Sequence, residues 1–335
     1  MVWPMKRFSR LEKALDSAEK ARSCLWTRRS NSLQSLWGRV REGTLLAVRP
    51  DMFVRVAYWA ALSYIERILH ILRAVISRRP NWVLSHISAA AVWGLNATYA
   101  MHRFVHLAID KHTRTRDRGY FRFHHIPDIK VETHNGLPVT PLMQTVFDCI
   151  RTLPFPEAVA ICDAALRQYR MNPDELQQFI ADHAGYKGVQ RARLVADHAD
   201  SRSENGGESI ARAWMIMWGF KPPELQREFD DPVTGQRRRA DYVWHLDDGR
   251  TIIGELDGRE KYVNRDMIDG ADSVDAVLAE KERESNIQLL MDRTVFVRIP
   301  FRQVLEQPEV VQRKLDLAGV PRGSAPLDNN LLQWL

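Results

Sequence analysis

The chain has 335 residues, of which 45% are hydrophobic and 27% charged, and its formal net charge at pH 7 is +6. These values are ordinary for a folded globular protein, and the length suits two or three domains. No run of about 18 apolar residues occurs, which argues against a membrane span, and the start lacks the apolar core of a secretory signal. Three cysteines lie far apart without metal-ligand spacing, so we expect reduced thiols in a cytoplasmic protein: Cys24, Cys149 and Cys162.

Positive charge is concentrated at the N-terminus. Residues 1–50 contain eleven Lys or Arg and four Asp or Glu, a local net charge of +7, so the remainder of the chain is close to neutral. Such a segment suits a polyanion, although a basic surface that only aids solubility has the same charge. Five arginines of this segment are our candidates for contact with nucleic acid: Arg28, Arg29, Arg39, Arg41 and Arg49.

The same segment has the pattern of a small helix-and-hairpin domain. "NSLQSLWGRVREG" (31–43) predicts a helix with an apolar stripe that includes Leu36 and Trp37 and ends at Gly43. "TLLAVRPDMFVR" (44–55) predicts two strands around a turn at Pro50-Asp51. This order is typical of a winged helix, so we expect a winged-helix domain over residues 1–56. Winged helices also serve as protein-interaction modules, and that alternative stays open.

Residues 57–200 alternate between helical and strand patterns, which predicts a middle α+β domain without an evident chemical site. A polar, glycine-bearing stretch, "HADSRSENGGESI" (198–210), marks the next boundary. The predicted elements are helices over 56–78, 84–95, 140–153, 154–169 and 172–184, and strands over 103–109 and 129–134.

The C-terminal region contains a hairpin with carboxylates at its open end. "RRRADYVWHL" (237–246) and "RTIIGELDG" (250–258) alternate on either side of a "DDG" turn. With a three-residue loop, Asp241 lies directly opposite Glu255, and Asp257 shares their face. A two-residue loop would shift the register by one and separate the acids. The opposite face is then an apolar core: Tyr242, Trp244, Ile252 and Leu256.

Two or three carboxylates are the ligands that Mg²⁺ takes, with water in the remaining octahedral positions. We therefore expect Asp241, Glu255 and Asp257 to bind Mg²⁺ (or Mn²⁺), which would activate water for attack on a phosphate. The alternative is a polar hairpin end whose acids pair with neighbouring arginines: Arg237, Arg238, Arg239 and Arg259.

A further acid, Glu208, begins the helix "NGGESIARAWMIMWGF" (205–220). Asn205 is a natural N-cap with Glu208 three residues on, which is the pattern of a capping box. The functional alternative is a fourth carboxylate supplied to the same site.

These motifs together resemble a known family. Their order is similar to that in the restriction-endonuclease-like domain of very-short-patch-repair endonucleases, within the PD-(D/E)xK nuclease superfamily. "LSHISAAAVWGL" (84–95) and "GLPVTPLMQTVFDC" (136–149), with the winged-helix start, resemble AbiEi-type (type IV) antitoxin-domain proteins. The nuclease-like motifs are "NGGESIAR", "PPELQREF", "RRRADYVW", "IIGELDGREKY", "AEKERESNIQLL" and "TVFVRIPFRQVL".

The resemblance implies a restriction-endonuclease-like α/β domain over residues 201–318, with a mixed sheet flanked by helices, followed by a tail over 319–335. The whole chain would then be a multidomain α/β protein. The resemblance makes Glu208 the helix acid, Asp241 the first strand acid and Glu255 the second. The family has a lysine two positions after the second acid. Here that position is Asp257, and the nearest lysine is Lys261, which the resemblance makes the cation of the site.

The resemblance implies a DNA-binding protein with a Mg²⁺-dependent deoxyribonuclease domain that hydrolyses phosphodiester bonds, in phage defence or a toxin-antitoxin context with a cognate toxin protein. The missing lysine favours an alternative, a catalytically inactive DNA-binding antitoxin or transcriptional regulator. A third interpretation is that the basic segment binds a protein partner. A homodimer is the default assembly, because twofold dimers are the commonest oligomers.

Overall fold

The computed structural model describes the chain in five segments: residues 3–27, 30–95, 100–110, 115–257 and 293–323. The chain divides into two compact units, Met1–Asp148 and Cys149–Leu335. Helices and three sheets are present in the described residues, which confirms the mixed α/β class. The helices between residues 155 and 198 belong to the second unit, although the sequence assigns them to the middle domain. The three-domain division itself stays a prediction.

The first unit begins with two helices and a three-stranded antiparallel sheet of order β1-β3-β2. Leu15, Leu36, Leu45 and Phe53 form its buried core. The leucine-rich patterns of both helices explain this packing, because their apolar stripes need a partner surface. The elements are α1 (Trp3–Lys20), β1 (Leu25–Trp26), α2 (Ser30–Arg41), β2 (Leu45–Arg49) and β3 (Met52–Arg55).

The predicted hairpin is confirmed, with Asp51 at a positive φ of 64° between its strands. Gly43, with a φ of 75°, follows α2 as the predicted stop. Trp37 departs from the prediction, because its side chain is 43% exposed and contacts the ring of Phe53 edge-on. Identification of these elements as a winged helix stays a proposal.

The long helix predicted after the hairpin is two helices, α3 (Val56–Ala61) and α4 (Tyr64–Arg78). Ser63 separates them because its side chain accepts a hydrogen bond from the backbone N–H of Glu66 at 3.3 Å. A serine N-cap satisfies a helix-terminal donor and starts a new helix. The apolar periodicity continues through this break, which is why the sequence pattern does not show it.

A five-stranded mixed sheet of order β6-β5-β4-β8-β7 completes the first unit. The predicted strands over 103–109 and 129–134 are present in shortened form, whereas β4, β6 and β8 were not predicted. In chain order the elements are β4 (Val83–Leu84), α5 (His86–Val92), a 3₁₀ helix (Ala100–Arg103), β5 (Val105–Ile109), β6 (Phe121–His125), β7 (Glu132–His134), β8 (Leu137–Val139) and α6 (Leu142–Ile150).

Helices open the second unit and pack around a buried ion pair. Arg212 of α10 donates to Asp163 of α7 at 2.7 Å, and their side chains are 4% and 0% exposed. Arg212 also donates to the His198 carbonyl, and Asp163 accepts from the Asp200 N–H, each at 2.7 Å. The helices are α7 (Phe155–Tyr169), α8 (Pro173–Asp182), α9 (Val189–His198) and α10 (Gly206–Met217).

A four-stranded mixed sheet of order β12-β11-β10-β9 follows, with β11 and β12 parallel. The face that carries Tyr242, Trp244, Ile252 and Leu256 packs on residues of α10, α11 and α12, as predicted. The elements are β9 (Glu224–Asp230), β10 (Arg237–His245), β11 (Thr251–Asp257), β12 (Thr294–Pro300), α11 (Phe301–Glu306) and α12 (Pro308–Ala318). Of the helices in the described segments, none has the length and apolarity to cross a lipid bilayer.

We expect Arg212→Leu to lower the free energy of unfolding by about 3–5 kcal/mol, because it leaves the buried charge of Asp163 without its cation. Denaturant unfolding would measure the change. Arg227→Leu is the matched control, since Arg227 is half exposed beside Glu224 and should cost at most about 1 kcal/mol. A loss below about 1 kcal/mol in Arg212→Leu would show that the ion pair does not hold the two helices together.

Candidate active site

The hairpin of β10 and β11 has the predicted register. Backbone pairs run from His245 opposite Thr251 to Tyr242 opposite Gly254, so Asp241 is the next residue on the side of Glu255. There the regular ladder ends. The backbone N–H of Leu256 donates to Asp241 Oδ2 at 2.9 Å, so a side chain accepts the bond that a strand carbonyl normally takes. One carboxylate oxygen of Asp241 is therefore fixed where the strands separate.

Gln226 on β9 lies opposite Asp241, between the pairs Arg227–Ala240 and Leu225–Tyr242. Its φ is 53°, a left-handed conformation that costs a non-glycine residue about 1–3 kcal/mol. The strand changes face at this point. Leu225 packs in the cluster of Tyr242, whereas Phe229 packs on the opposite sheet face, although residues four apart share a face in a regular strand.

The Gln226 side chain joins two carboxylates. Its Nε2 donates to Glu208 Oε2 at 3.0 Å and to Asp241 Oδ1 at 3.3 Å. These two acceptors assign the amide nitrogen, because the reverse orientation would place an oxygen against both carboxylates. The other amide atom, Oε1, is buried without a hydrogen-bond partner among the described residues. Gln226 is not among the site residues predicted from the sequence, because within "PPELQREF" it has the pattern of an ordinary strand residue.

Glu208 is held by the first turn of α10. Asn205 caps the helix by accepting from the Glu208 N–H at 3.1 Å, as predicted. In return the Glu208 carboxylate accepts from the Glu204 N–H at 2.7 Å and from Asn205 Nδ2 at 2.5 Å. The capping interpretation is therefore confirmed, and the same carboxylate also accepts from Gln226.

Burial, together with the negative charges of Asp241 and Glu204, raises the pKa of Glu208 to about 7, although the hydrogen bond from the Glu204 N–H acts in the opposite direction. The residue is only 5% exposed. A carboxyl group with a pKa near neutrality changes protonation state under ordinary conditions, which is the property of a general acid or base.

Glu255 and Asp257 lie at the end of β11, beside the parallel strand β12. Arg298 is the register partner of Glu255, and its Nη1 lies 3.7 Å from Asp257 Oδ1. Within the described segments, no three His, Cys, Asp or Glu side chains lie close enough to bind a metal together. Asp241, Glu255 and Asp257 therefore do not form the predicted three-carboxylate set. Asp257 lies beside Arg298 instead, a pairing that was not predicted from the sequence.

The alternative prediction paired these acids with neighbouring arginines. In the structure, the described arginines of that set lie beside other acids. Arg239 pairs with Glu204, Arg238 lies 4.0 Å from Asp231, and Arg237 lies 3.3 Å from Glu228. Arg259 and the predicted cation Lys261 lie outside the described residues.

Two carboxylates and one amide oxygen remain as donors that could hold a magnesium ion. Mg²⁺ is commonly held by one or two carboxylates together with water and substrate phosphates. Asp241 and Glu255 supply two carboxylates from adjacent strands, and Gln226 Oε1 is a buried acceptor without a donor among the described residues. A buried polar atom of this kind calls for a partner, and a hydrated cation would provide one.

The arginines predicted to contact nucleic acid have different surroundings. Arg39 is only 14% exposed and pairs with Glu12 at 2.5 Å. Arg49 turns inward and donates to the carbonyl of His102 at 2.9 Å. Arg41 is exposed at the end of α2, and Arg28 and Arg29 lie outside the described residues. Of the described members of the set, Arg41 is thus the one that presents its charge to solvent.

Acidic side chains of α1 neutralise two arginines of the first unit, Arg39 and Arg55. Glu12, Asp16 and Glu19 line one face of the helix and all bind Arg55, at 2.6–2.7 Å. Glu12 also binds Arg39. These pairs could not be predicted from the sequence, because the partners are far apart along the chain and are brought together by the packing of α1 on the sheet.

Comparison with known proteins gives two relatives and no family, since no family model matches the chain. The chain is similar to "Uncharacterized protein MT2308" of Mycobacterium tuberculosis (strain CDC 1551 / Oshkosh) and to "Uncharacterized protein Rv2248" of Mycobacterium tuberculosis (strain ATCC 25618 / H37Rv). Each is 31% identical over 159 residues, which are 47% of this chain and 56% of the relative. The chain thus spans about half the length of the curated relatives it matches. Their names assign no activity, so the functional argument is based on the geometry of the site.

We expect the Glu208 carboxyl to titrate near pH 7, because burial and the charge of Asp241 raise its pKa to about 7. Asp241→Asn removes the negative neighbour, so the pKa of Glu208 should fall toward, without reaching, its ordinary value of 4.5. Carbon-detected NMR titration of the glutamate carboxyl groups would measure both values. Asp247→Asn, in the exposed hairpin turn, is the control and should leave the Glu208 pKa unchanged.

The raised pKa of Glu208 also makes the stability of the fold depend on pH. The folded state holds the Glu208 proton more tightly than the unfolded chain, so the resulting stabilisation is complete below pH 4.5 and is lost as the pH rises through about 7. Glu208→Gln should remove this part of the pH dependence. A Glu208 carboxyl that titrates at its ordinary value would contradict the described surroundings.

Proposed function

We propose that this protein binds DNA and that its second unit hydrolyses phosphodiester bonds with Mg²⁺ or Mn²⁺, as a restriction-endonuclease-like domain of the PD-(D/E)xK type. The observation that carries the proposal is the hydrogen-bonded line from Asp241 through Gln226 to Glu208. This line lies where β10 and β11 separate, beside Glu255. A hairpin end with a purely structural role does not require a strained glutamine between two carboxylates.

Each residue has a distinct part in the proposed reaction. Asp241 and Glu255 would hold the metal ion, which when bound polarises the phosphate and lowers the pKa of a water molecule. Glu208, with a pKa of about 7, accepts or releases a proton. Gln226 Nε2 fixes the orientation of the Glu208 and Asp241 carboxylates. Arg298 offsets the charge of Asp257, which would otherwise repel the phosphate.

The N-terminal helices and hairpin would bind DNA as a winged helix, with α2 and the exposed Arg41 toward the phosphates. The resemblance of "LSHISAAAVWGL" and "GLPVTPLMQTVFDC" to AbiEi-type proteins supports a role in phage defence or in a toxin-antitoxin pair with a cognate toxin protein. A homodimer is the assembly we propose for DNA binding, because twofold symmetry suits a palindromic site.

We expect purified protein to cleave plasmid DNA when Mg²⁺ or Mn²⁺ is present, and Asp241→Asn and Glu255→Gln each to slow cleavage by roughly 100-fold or more, as removal of electrostatic groups in active sites does. Calorimetric titration with the same metals should show binding that is lost in the double variant. Asp247→Asn is the matched control, because it changes an exposed aspartate of the same hairpin.

The outcomes separate the two functions that the site supports. Cleavage that persists in both variants at the control rate would refute the assignment of the site. Metal binding by the wild type without cleavage of plasmid, single-stranded DNA or RNA would favour the second function below.

The second candidate is a catalytically inactive DNA-binding antitoxin or transcriptional regulator. The specific observation in its favour is Asp257, which stands where the similar family has a lysine and lies 3.7 Å from Arg298. A carboxylate at that position cannot supply positive charge to a phosphate. In this case the first unit would bind DNA and the second would contribute structure alone.

Both candidates require DNA binding by the first unit. We expect Arg41→Ala to weaken DNA binding and to lower the slope of log affinity against log salt by about one, because each phosphate contact releases close to one counterion. Fluorescence anisotropy with duplex DNA at several salt concentrations would measure the slope. Arg79→Ala, an exposed arginine at the end of α4, is the control, and equal slopes in all three proteins would rule out Arg41 as a phosphate contact.

A further inference from the structure

The first unit contains a cavity of about 240 Å³ at one side of α4. Most of its wall is apolar and comes from Ile68, Ile71 and Leu72 of α4 together with Phe104 and Val105 at the start of β5. Two arginines, Arg49 and Arg67, also line it, and none of the lining residues is acidic. An apolar recess with a few convergent polar groups is the usual form of a small-molecule site.

Arg49 enters this wall from the end of β2 and lacks an anionic partner among the described residues. Its Nη1 and Nη2 donate to the carbonyls of Val48 and His102, each at 2.9 Å. Its Nε is buried and has no hydrogen-bond partner in the described part of the chain. A guanidinium stays charged even when it is partly removed from water, so this donor and its charge are stabilised by an anion.

Arg67 adds a second positive charge at the same cavity. Its Nε donates to the Trp59 carbonyl at 3.0 Å and its Nη2 to the Ala60 carbonyl at 3.2 Å. The exposed ring of Tyr64 lies 5.2 Å from this guanidinium. Backbone carbonyls and an aromatic face orient Arg67, but they do not neutralise it.

The histidine in the cavity wall does not add charge. Burial lowers the pKa of His102 to about 3, so its ring is neutral at pH 7. The hydroxyl of Ser88 accepts a hydrogen bond from the His106 N–H at 2.9 Å, and Ser88 and Tyr64 supply the neutral hydroxyl groups of the wall. The electrostatic character of the cavity is therefore set by Arg49 and Arg67.

We propose that this cavity binds a small amphipathic carboxylate, with its carboxylate at Arg49 and its hydrocarbon part against Ile68, Leu72 and Phe104. The carboxylate pairs with the charged guanidinium of Arg49, which donates to carbonyls and has no anionic partner in the described part of the chain. The apolar part removes the wall of α4 from water, which supplies the hydrophobic contribution to binding.

A carboxylate suits this site better than a phosphate monoester. Arg67 Nε and Nη2 are already directed to the carbonyls of Trp59 and Ala60, and Arg49 Nη1 and Nη2 to those of Val48 and His102, so few guanidinium donors remain for several phosphate oxygens. A doubly charged phosphate would lose hydration at oxygens that the apolar wall cannot hydrogen-bond. A single carboxylate carries one charge, and its second oxygen can remain toward solvent.

Calorimetric titration with sodium octanoate tests the proposal without DNA or metal, so its result is independent of the proposed nuclease. We expect saturable binding at one site. Arg49→Leu should weaken it at least tenfold, because the variant removes the charge-assisted donor. Arg79→Leu, an exposed arginine outside the cavity, should leave the affinity unchanged. The matched alcohol, 1-octanol, should bind at least tenfold more weakly than octanoate.

A second variant keeps the test decisive if Arg49→Leu does not fold, as judged by thermal unfolding. Ile68→Trp fills the cavity, retains both arginines and should abolish octanoate binding. Octyl phosphate that binds as tightly as octanoate would overturn the choice of carboxylate. No saturable binding up to roughly 10 mM octanoate, or equal affinity in the wild type and both cavity variants, would overturn the site itself.

Discussion

The buried pair of Asp163 and Arg212 is the constraint on which the site of the second unit depends. It joins α7 to α10 in the buried interior, so neither helix can shift without exposing a charge to an apolar core. Arg212 lies one helical turn after Glu208. Fixing the first half of α10 therefore fixes the Glu208 carboxylate, and through Gln226 it also fixes the carboxylate of Asp241.

This line of hydrogen bonds has a cost, since it needs a left-handed backbone at Gln226 and a buried carboxyl at Glu208. The bond between Leu256 N–H and Asp241 offsets part of it, because the strand donor is satisfied although the ladder has ended. The result is a group of three polar side chains held in one arrangement by backbone donors. Preorganised side chains of this kind lose little freedom when a ligand binds.

The sequence predicted the parts of the site that depend on local pattern. Alternation and the "DDG" turn set the register of β10 and β11, and the capping pattern located Glu208. Two parts needed tertiary structure. Gln226 is an ordinary strand residue by sequence, and nothing in the pattern around it indicates a left-handed backbone with a φ of 53°. Arg298 comes beside Asp257 because β12 pairs in parallel with β11, and a parallel partner follows only after a long connection.

In the first unit, too, the sequence predicts the local charge, whereas tertiary packing decides which charges reach solvent. Composition located a basic segment, but the acids of α1 neutralise Arg39 and Arg55, and Arg49 turns away from solvent. A count of cations therefore overstates the surface available to DNA. The second unit differs, because Asp241 and Glu208 are brought toward one another, and burial together with the charge of Asp241 raises the pKa of Glu208. A scaffold gains no stability from such a pair, whereas phosphodiester hydrolysis requires both a cation ligand and a group that exchanges a proton. That difference is the physical reason to place an enzyme ahead of a regulator.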